Sequence, residues 1–213
     1  MKIQDLTHTI KGKMTLYPGT ANPKIEQIAS MEKNLYREHK IEITSHTGTH
    51  IDAPAHMKPL GKTLDQMDIS QFIGRAYCID VSDIKGQTIE LEYIKKYKDK
   101  IEICDFLILK TNNYKAWNTD EYFNDYKTLS IDGAKWLTKM NLKGIGVDAI
   151  SVDTMDTESF EIHYEILATD SMIIIENLNN LAHLPDFFNL SVMPMKFENS
   201  DGSPVRAIAT WEE

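Results

Sequence analysis

Three of the seven histidines in this 213-residue chain fall within eleven positions, His46, His50 and His56, and Asp52 stands among them. The stretch reads His46-Thr47-Gly48-Thr49-His50-Ile51-Asp52-Ala53-Pro54-Ala55-His56. Positions 46, 50, 52 and 56 share parity. In extended backbone their side chains point to one side, and Ile51, Ala53 and Ala55 point to the other, as toward a core. Imidazole and carboxylate are what a first-row divalent metal takes as ligands. Ten residues of fully extended chain would span about 33 Å, too far for one site, so the segment must bend. Gly48 and Pro54 stand where bends would bring its ends together. His50 and Asp52, about 7 Å apart at Cα in a strand, can flank one ion. His46 and His50 also have the i, i+4 spacing of a helical metalloprotease site. Position 47, however, is Thr and not the Glu base, and Gly48 with nearby Pro54 disfavours a helix.

A catalytic metal site draws further ligands from elsewhere in the chain. His163 opens an expected helix, and Glu176 closes the apolar run Met172–Glu176. An acid at the end of an apolar strand is costly unless it is solvated or paired with a cation. The pattern alone leaves both open as ligands. His8, His39 and His183 fall to the surface by default. No GxSxG turn is present and neither cysteine has a histidine nearby in sequence, so no nucleophilic side chain is indicated. Cys78 and Cys104 form no CxxC pair and read as reduced core thiols.

The elements that must position these residues are those of a mixed α/β domain. Strands are expected over 41–46, 75–81, 104–110, 142–147 and 172–176. A hairpin is expected from 187–197 and 205–211 around the turn-rich 199–204. Thr88 is expected to cap a helix running to Tyr97, Ser130 to cap 131–140, and 160–168 to form a shorter helix. The loop 11–22 is expected to wall a pocket. The aromatic stretch 114–126 is a second expected wall of that pocket, although Tyr114, Trp117, Tyr122, Phe123 and Tyr126 read first as core or lid packing.

Composition narrows the class. Hydrophobic residues make up 42% and charged residues 26%, the balance of an ordinary globular chain, with a formal net charge of −9. An acidic surface repels phosphate backbones, so nucleic acid is not an expected partner. The longest strongly apolar run, Met172–Ile175, is far short of the ~20 residues of a membrane span. The N-terminal residues lack the apolar stretch and cleavage site of a signal peptide. The expectation is one domain over residues 1–213, with no membrane association and a cytoplasmic location.

The histidine segment resembles the HxGTHxDxPxH signature of the metal-dependent cyclase family, which includes bacterial kynurenine formamidases and isatin hydrolases. Gly146-Val147-Asp148, Ser151-Val152-Asp153, His163 and Ile174-Ile175-Glu176-Asn177-Leu178 extend the resemblance from Asp5-Leu6-Thr7 to the C-terminal strand. It implies an α/β fold with a mixed or antiparallel barrel-like sheet and flanking helices, assembled as a homo-oligomer, dimer or tetramer. It also implies two divalent ions, zinc or manganese. His46, His50 and Asp52 would hold the first. Asp52 would bridge to the second, which His163 would ligate, and Glu176 would contact both. His56 would be the proton donor and acceptor. The implied activity is hydrolysis of a small amide by metal-activated water, foremost that of N-formylkynurenine to kynurenine and formate. Cleavage of an isatin-like lactam is the alternative, and a non-catalytic metal- or ligand-binding protein on the same scaffold is the alternative of another kind. Tyr17 stands where kynurenine formamidases of the family carry Trp, and is placed to stack on a substrate ring.

Overall fold

The computed structural model describes residues 1–212. Its strands are β1 (Lys2–Asp5), β2 (Lys24–Ala29), β3 (Glu38–Glu42), β4 (His50–Asp52), β5 (Ile73–Asp80), β6 (Thr88–Ile89), β7 (Phe106–Lys110), β8 (Thr128–Leu129), β9 (Gly144–Val147), β10 (Ile173–Glu176), β11 (Phe187–Pro194) and β12 (Gly202–Trp211). Short helices are α1 (Met31–Asn34), α2 (Leu91–Ile94), α3 (Lys98–Ile101), α4 (Ile131–Leu137) and α5 (Glu161–Leu167).

The continuous apolar runs become strands covered on both faces. β5, β7, β9 and β10 lie parallel in that order, and β11, β12 and β4 complete the sheet by antiparallel pairing. β4 pairs with both β10 and β12, which closes seven strands into a mixed barrel, with β1 on the free edge of β12. Side chains alternate across the barrel wall. Phe106, Ile108, Ile173, Ile175, Ala207 and Ala209 fill the interior. Leu107, Leu109, Ile145, Val147 and Ile174 face outward, where Ala134 and Leu137 of α4 and Ile162 and Ile166 of α5 cover them. Gly146 marks the tightest interior approach: a Cβ there would lie 2.6 Å from Ile108 Cδ1.

Ser130 caps α4 through its side chain, accepting from the Gly133 amide, although the helix ends at Leu137 and not Met140. The expected helix from Thr88 is displaced. Thr88 and Ile89 pair with β8, and the first helical turn starts at Leu91 and passes through a 3₁₀ segment into α3. The expected strand 41–46 also shifts. β3 ends at Glu42 and belongs to a separate two-stranded sheet with β2, outside the barrel. Its alternation is that of an exposed hairpin. Among the described residues no helix is long and apolar enough to cross a membrane.

Candidate metal centre

Strand β4 is three residues long, and its alternation sets the site. Ile51 points into the barrel interior, so His50 and Asp52 point outward. β10 pairs with β4 so that Glu176 lies opposite His50, and Ile174 opposite Asp52. The chain bends on both sides of β4, as Gly48 and Pro54 require. Gly48 adopts φ +67, a left-handed conformation open to glycine, and returns His46 beside Asp52. Pro54 opens a 3₁₀ turn that ends at His56, whose ring centroid is 4.0 Å from that of His46. The α5 helix adds His163, and Gly202 of β12 leaves room for His46: a Cβ there would lie 2.6 Å from His46 Cε1.

All six sequence-selected residues of the cluster therefore converge. His46 Nδ1 lies 2.7 Å from Asp52 Oδ1, and His50 Nε2 lies 3.2 Å from the same oxygen. His50 Nε2 and His163 Nε2 lie 3.5 and 3.3 Å from the two oxygens of Glu176. One ligand atom each from His46, His50 and Asp52 falls within 4.8 Å of the others, and the same holds for Asp52, His163 and Glu176. Asp52 is common to both triads. A third grouping of the same reach joins His46, His56 and Asp201.

Each histidine of the first two triads has its other ring nitrogen committed. His46 Nε2 lies 2.9 Å from Asp201 Oδ2, His50 Nδ1 lies 2.8 Å from the Gly48 carbonyl, and His163 Nδ1 lies 2.6 Å from Asp153 Oδ2. Such outer partners fix the ring and leave the inward nitrogen free to ligate. Asp52 Oδ2 is buried and has no hydrogen-bond partner, as suits a carboxylate oxygen meant for a cation. The donor set fits one or more divalent ions.

The electrostatics agree. Burial works against charge on His46, but Asp52 and Asp201 outweigh it and raise its pKa to about 9. Burial likewise opposes charge on His163, and Asp153, Asp52 and Glu176 raise it well above the usual value. Asp52 is driven up by burial yet held well below the ordinary carboxylate range by His50, His163 and His46. His56 differs: burial lowers its pKa, and neighbouring His46 and His163 add to this against the pull of Asp52 and Asp201.

Above the cluster lies a cavity of about 360 Å³. Leu16, Tyr17, Met57, Ile150 and Phe160 form its apolar walls, so the loop 11–22 serves as expected. Tyr122 and Tyr126 are buried in the core, as the first reading of the aromatic stretch expected, and none of its five rings lines this cavity, so the stretch is not the second wall.

Three residues of the site were given no role by sequence reasoning, although Asp153 and Asn177 stand in blocks that carry the family resemblance. Asp153 accepts from His163 Nδ1 and from the amides of Ile162 and His163, so it caps α5 while it orients the ring. Asp201 sits in the turn that read only as a hairpin loop. Asn177 donates to the Gly48 carbonyl at 3.0 Å, and Tyr122 Oη–H donates to Asn177 Oδ1 at 2.8 Å, so the acceptor that holds His50 is itself held. Of these, the Asp153 carboxylate ten residues before a candidate ligand was the available signal. His8 corrects the default assignment to the surface. It is buried and stacks on Trp117 at 3.9 Å between ring centroids, because its amide anchors to Thr49 inside the turn before β4. His39 and His183 are exposed.

Known proteins show the same architecture. A kynurenine formamidase from Bacillus anthracis is 31% identical over 206 residues, covering 96% of this chain and 95% of that one. A solved structure described as a predicted metal-dependent hydrolase from Bacillus stearothermophilus aligns with a TM-score of 0.81 at 26% identity, covering 98% and 97% of the two chains. Isatin hydrolase A from Labrenzia aggregata shares the fold with a TM-score of 0.86 at 22% identity, covering 98% and 93%. The family model named Cyclase, described as "Putative cyclase", matches residues 4–154, the span that contains the histidine segment and both Asp148 and Asp153. The chain belongs to the cyclase family.

Proposed function

We propose that this protein is a metal-dependent amide hydrolase that cleaves an aryl formamide, foremost N-formylkynurenine to kynurenine and formate. One observation carries the reading: two ligand triads that share Asp52 form the floor of an apolar-walled cavity, with His56 at its edge. The kynurenine formamidases among its relatives support the substrate class.

His46, His50 and Asp52 would hold one ion, and Asp52, His163 and Glu176 a second, with Glu176 reaching both. Mixed imidazole and carboxylate donors suit zinc or manganese. Bound divalent metal supplies polarisation of the amide carbonyl and activation of water at neutral pH. The chain's own groups do the remainder. Tyr17, Leu16 and Phe160 line the cavity and would exclude water from the aryl group. His56, held neutral at pH 7 by burial, is free to take a proton from the attacking water and return it to the departing aniline nitrogen. Its Nδ1 lies 3.5 Å from Asp201 Oδ2, which orients the ring and stabilises the imidazolium while the proton is held. No covalent intermediate on the protein is needed.

The test is His56→Ala. Removing the proton carrier should lower kcat on N-formylkynurenine by about 10²–10⁴-fold while metal content and KM stay near those of the parent. Undiminished kcat in the metal-loaded variant would refute the role of His56, whereas metal-loaded parent protein that turns over no amide would favour a binding protein on this scaffold.

A further inference from the structure

N-formylkynurenine is more than an aryl formamide. Its ring carries a short chain that ends in an α-amino acid, an ammonium and a carboxylate at neutral pH. The cavity above the metal cluster offers that end no partner. Among the described residues its lining includes no lysine or arginine, and its carboxylates, Asp52 and Glu176, belong to the ligand triads. Charges taken out of water without partners are costly. Beside the cavity lies an open groove of about 600 Å³. Thr15, Leu16, Tyr17 and Thr20 line both spaces, so the two adjoin along this stretch. One segment of the groove, 11–22, brings Lys11 and Lys13, and the other, 118–123, brings Asp120. These are the groove's only charged lining residues among those described. All three are exposed, and among the described residues none has a side-chain hydrogen bond or an ion pair. The two segments are tied together. The Thr15 amide donates to Asn118 Oδ1 at 2.9 Å, and the Asn118 amide donates to Thr15 Oγ1 at 2.8 Å. Asn118 makes this reciprocal pair at φ +66, a left-handed conformation that asparagine tolerates.

We propose that this groove binds the α-amino acid end of the substrate, its carboxylate against Lys11 and Lys13 and its ammonium against Asp120, while the aryl formamide occupies the cavity beyond Tyr17. The inference rests on the aryl-formamide reading above. Bases on one segment and an acid on the other suit an α-amino acid better than a simple acid or a simple amine. The three side chains lie away from the amide that breaks, so they bind the ground state and the transition state alike. Their effect therefore falls on KM and not on kcat. Because the pairs are exposed to water, each is weak singly.

Steady-state kinetics of the full metal-loaded chain on two substrates test the proposal. The comparison substrate is 2-formamidoacetophenone, which keeps the aryl formamide and the ketone but lacks the amino acid. Lys11→Ala/Lys13→Ala should raise KM for N-formylkynurenine about 3–10-fold with kcat retained, and Asp120→Asn should raise it about 2–5-fold. Neither variant should change KM for 2-formamidoacetophenone. Lys11→Arg/Lys13→Arg, which keeps both charges, should hold KM near that of the parent. Unchanged KM for N-formylkynurenine in both charge-removing variants would overturn the subsite and leave the formamidase reading intact. An equal rise for both substrates would do the same. Metal-loaded parent that cleaves neither substrate would overturn the reading on which the subsite rests, and the subsite with it.

Discussion

Asp153→Asn isolates the positioning of His163 from the identity of the ligands. In the parent, Asp153 Oδ1 accepts from the Ile162 amide at 2.9 Å, and Oδ2 accepts from the His163 amide at 3.1 Å and from its Nδ1 at 2.6 Å. The residue is buried. Asparagine keeps one acceptor oxygen and replaces the other with NH2. If that oxygen stays on the Ile162 amide, the NH2 faces two N–H groups. The ring escapes this clash by giving up its Nδ1 proton, and Nε2 then carries the proton toward Asp52 and Glu176, where a metal must bind. Loss of such an outer partner costs about 10–100-fold in metal affinity, or about 1.4–2.8 kcal/mol. The unpaired His163 amide destabilises the metal-free fold by a further ~1–3 kcal/mol. Competition between the protein and a chromogenic chelator for zinc reads the first quantity, and calorimetric unfolding of metal-free protein reads the second. Zinc affinity within about threefold of the parent would refute the claim that Asp153 sets the tautomer.

Other perturbations probe other parts of the site. Gly202→Ala places a methyl group 2.6 Å from His46 Cε1 and 3.0 Å from the Ile51 carbonyl, so it should displace His46 and lower metal content, with a stability loss of about 1–3 kcal/mol visible in thermal unfolding; full metal content would show that the ring can move freely. Because His46 is raised to about 9 in the metal-free protein, metal entry at pH 7 must release protons, which titration calorimetry in buffers of different ionisation enthalpy should detect; no dependence on the buffer would contradict the assignment. A folded-state pKa raised above the unfolded value of about 6.5 gives stability that is fully present below that pH and lost as pH rises through about 9. The Tm of metal-free protein should accordingly fall across that interval, and a flat profile would count against the His46–Asp52 and His46–Asp201 pairs. Tyr17→Ala should raise KM for an aryl formamide more than it lowers kcat, and an unchanged KM would remove Tyr17 from the substrate wall.

Much of this was legible in the chain because the barrel and the site use the same alternation. The apolar runs at 75–81, 104–110, 142–147 and 172–176 became β5, β7, β9 and β10, since strands buried on both faces show no polar phase to misread. The shared parity of His50 and Asp52, opposed to Ile51, gave their common face, and Gly48 and Pro54 gave the bends that recruit His46 and His56. The losses occurred where local pattern is overruled by distant contacts. Thr88 has the chemistry of a helix cap but is taken by pairing with Thr128, forty residues on. The alternation at Ile41 is real, yet it belongs to a two-stranded hairpin outside the barrel, whose residues are mostly exposed. Asp201 joins His46 and His56 only because β12 closes the barrel against β4, a pairing of residues 150 positions apart that carries no local signature.

The central claim is that the paired triads around Asp52 make this chain a metal-dependent amide hydrolase, and turnover of N-formylkynurenine with and without metal tests it most directly. Protein reconstituted with zinc or manganese should release kynurenine, lose that activity on chelation, and regain it when metal is restored. Full activity in metal-stripped protein would contradict the account, as would metal-loaded protein that cleaves no aryl formamide and no other small amide.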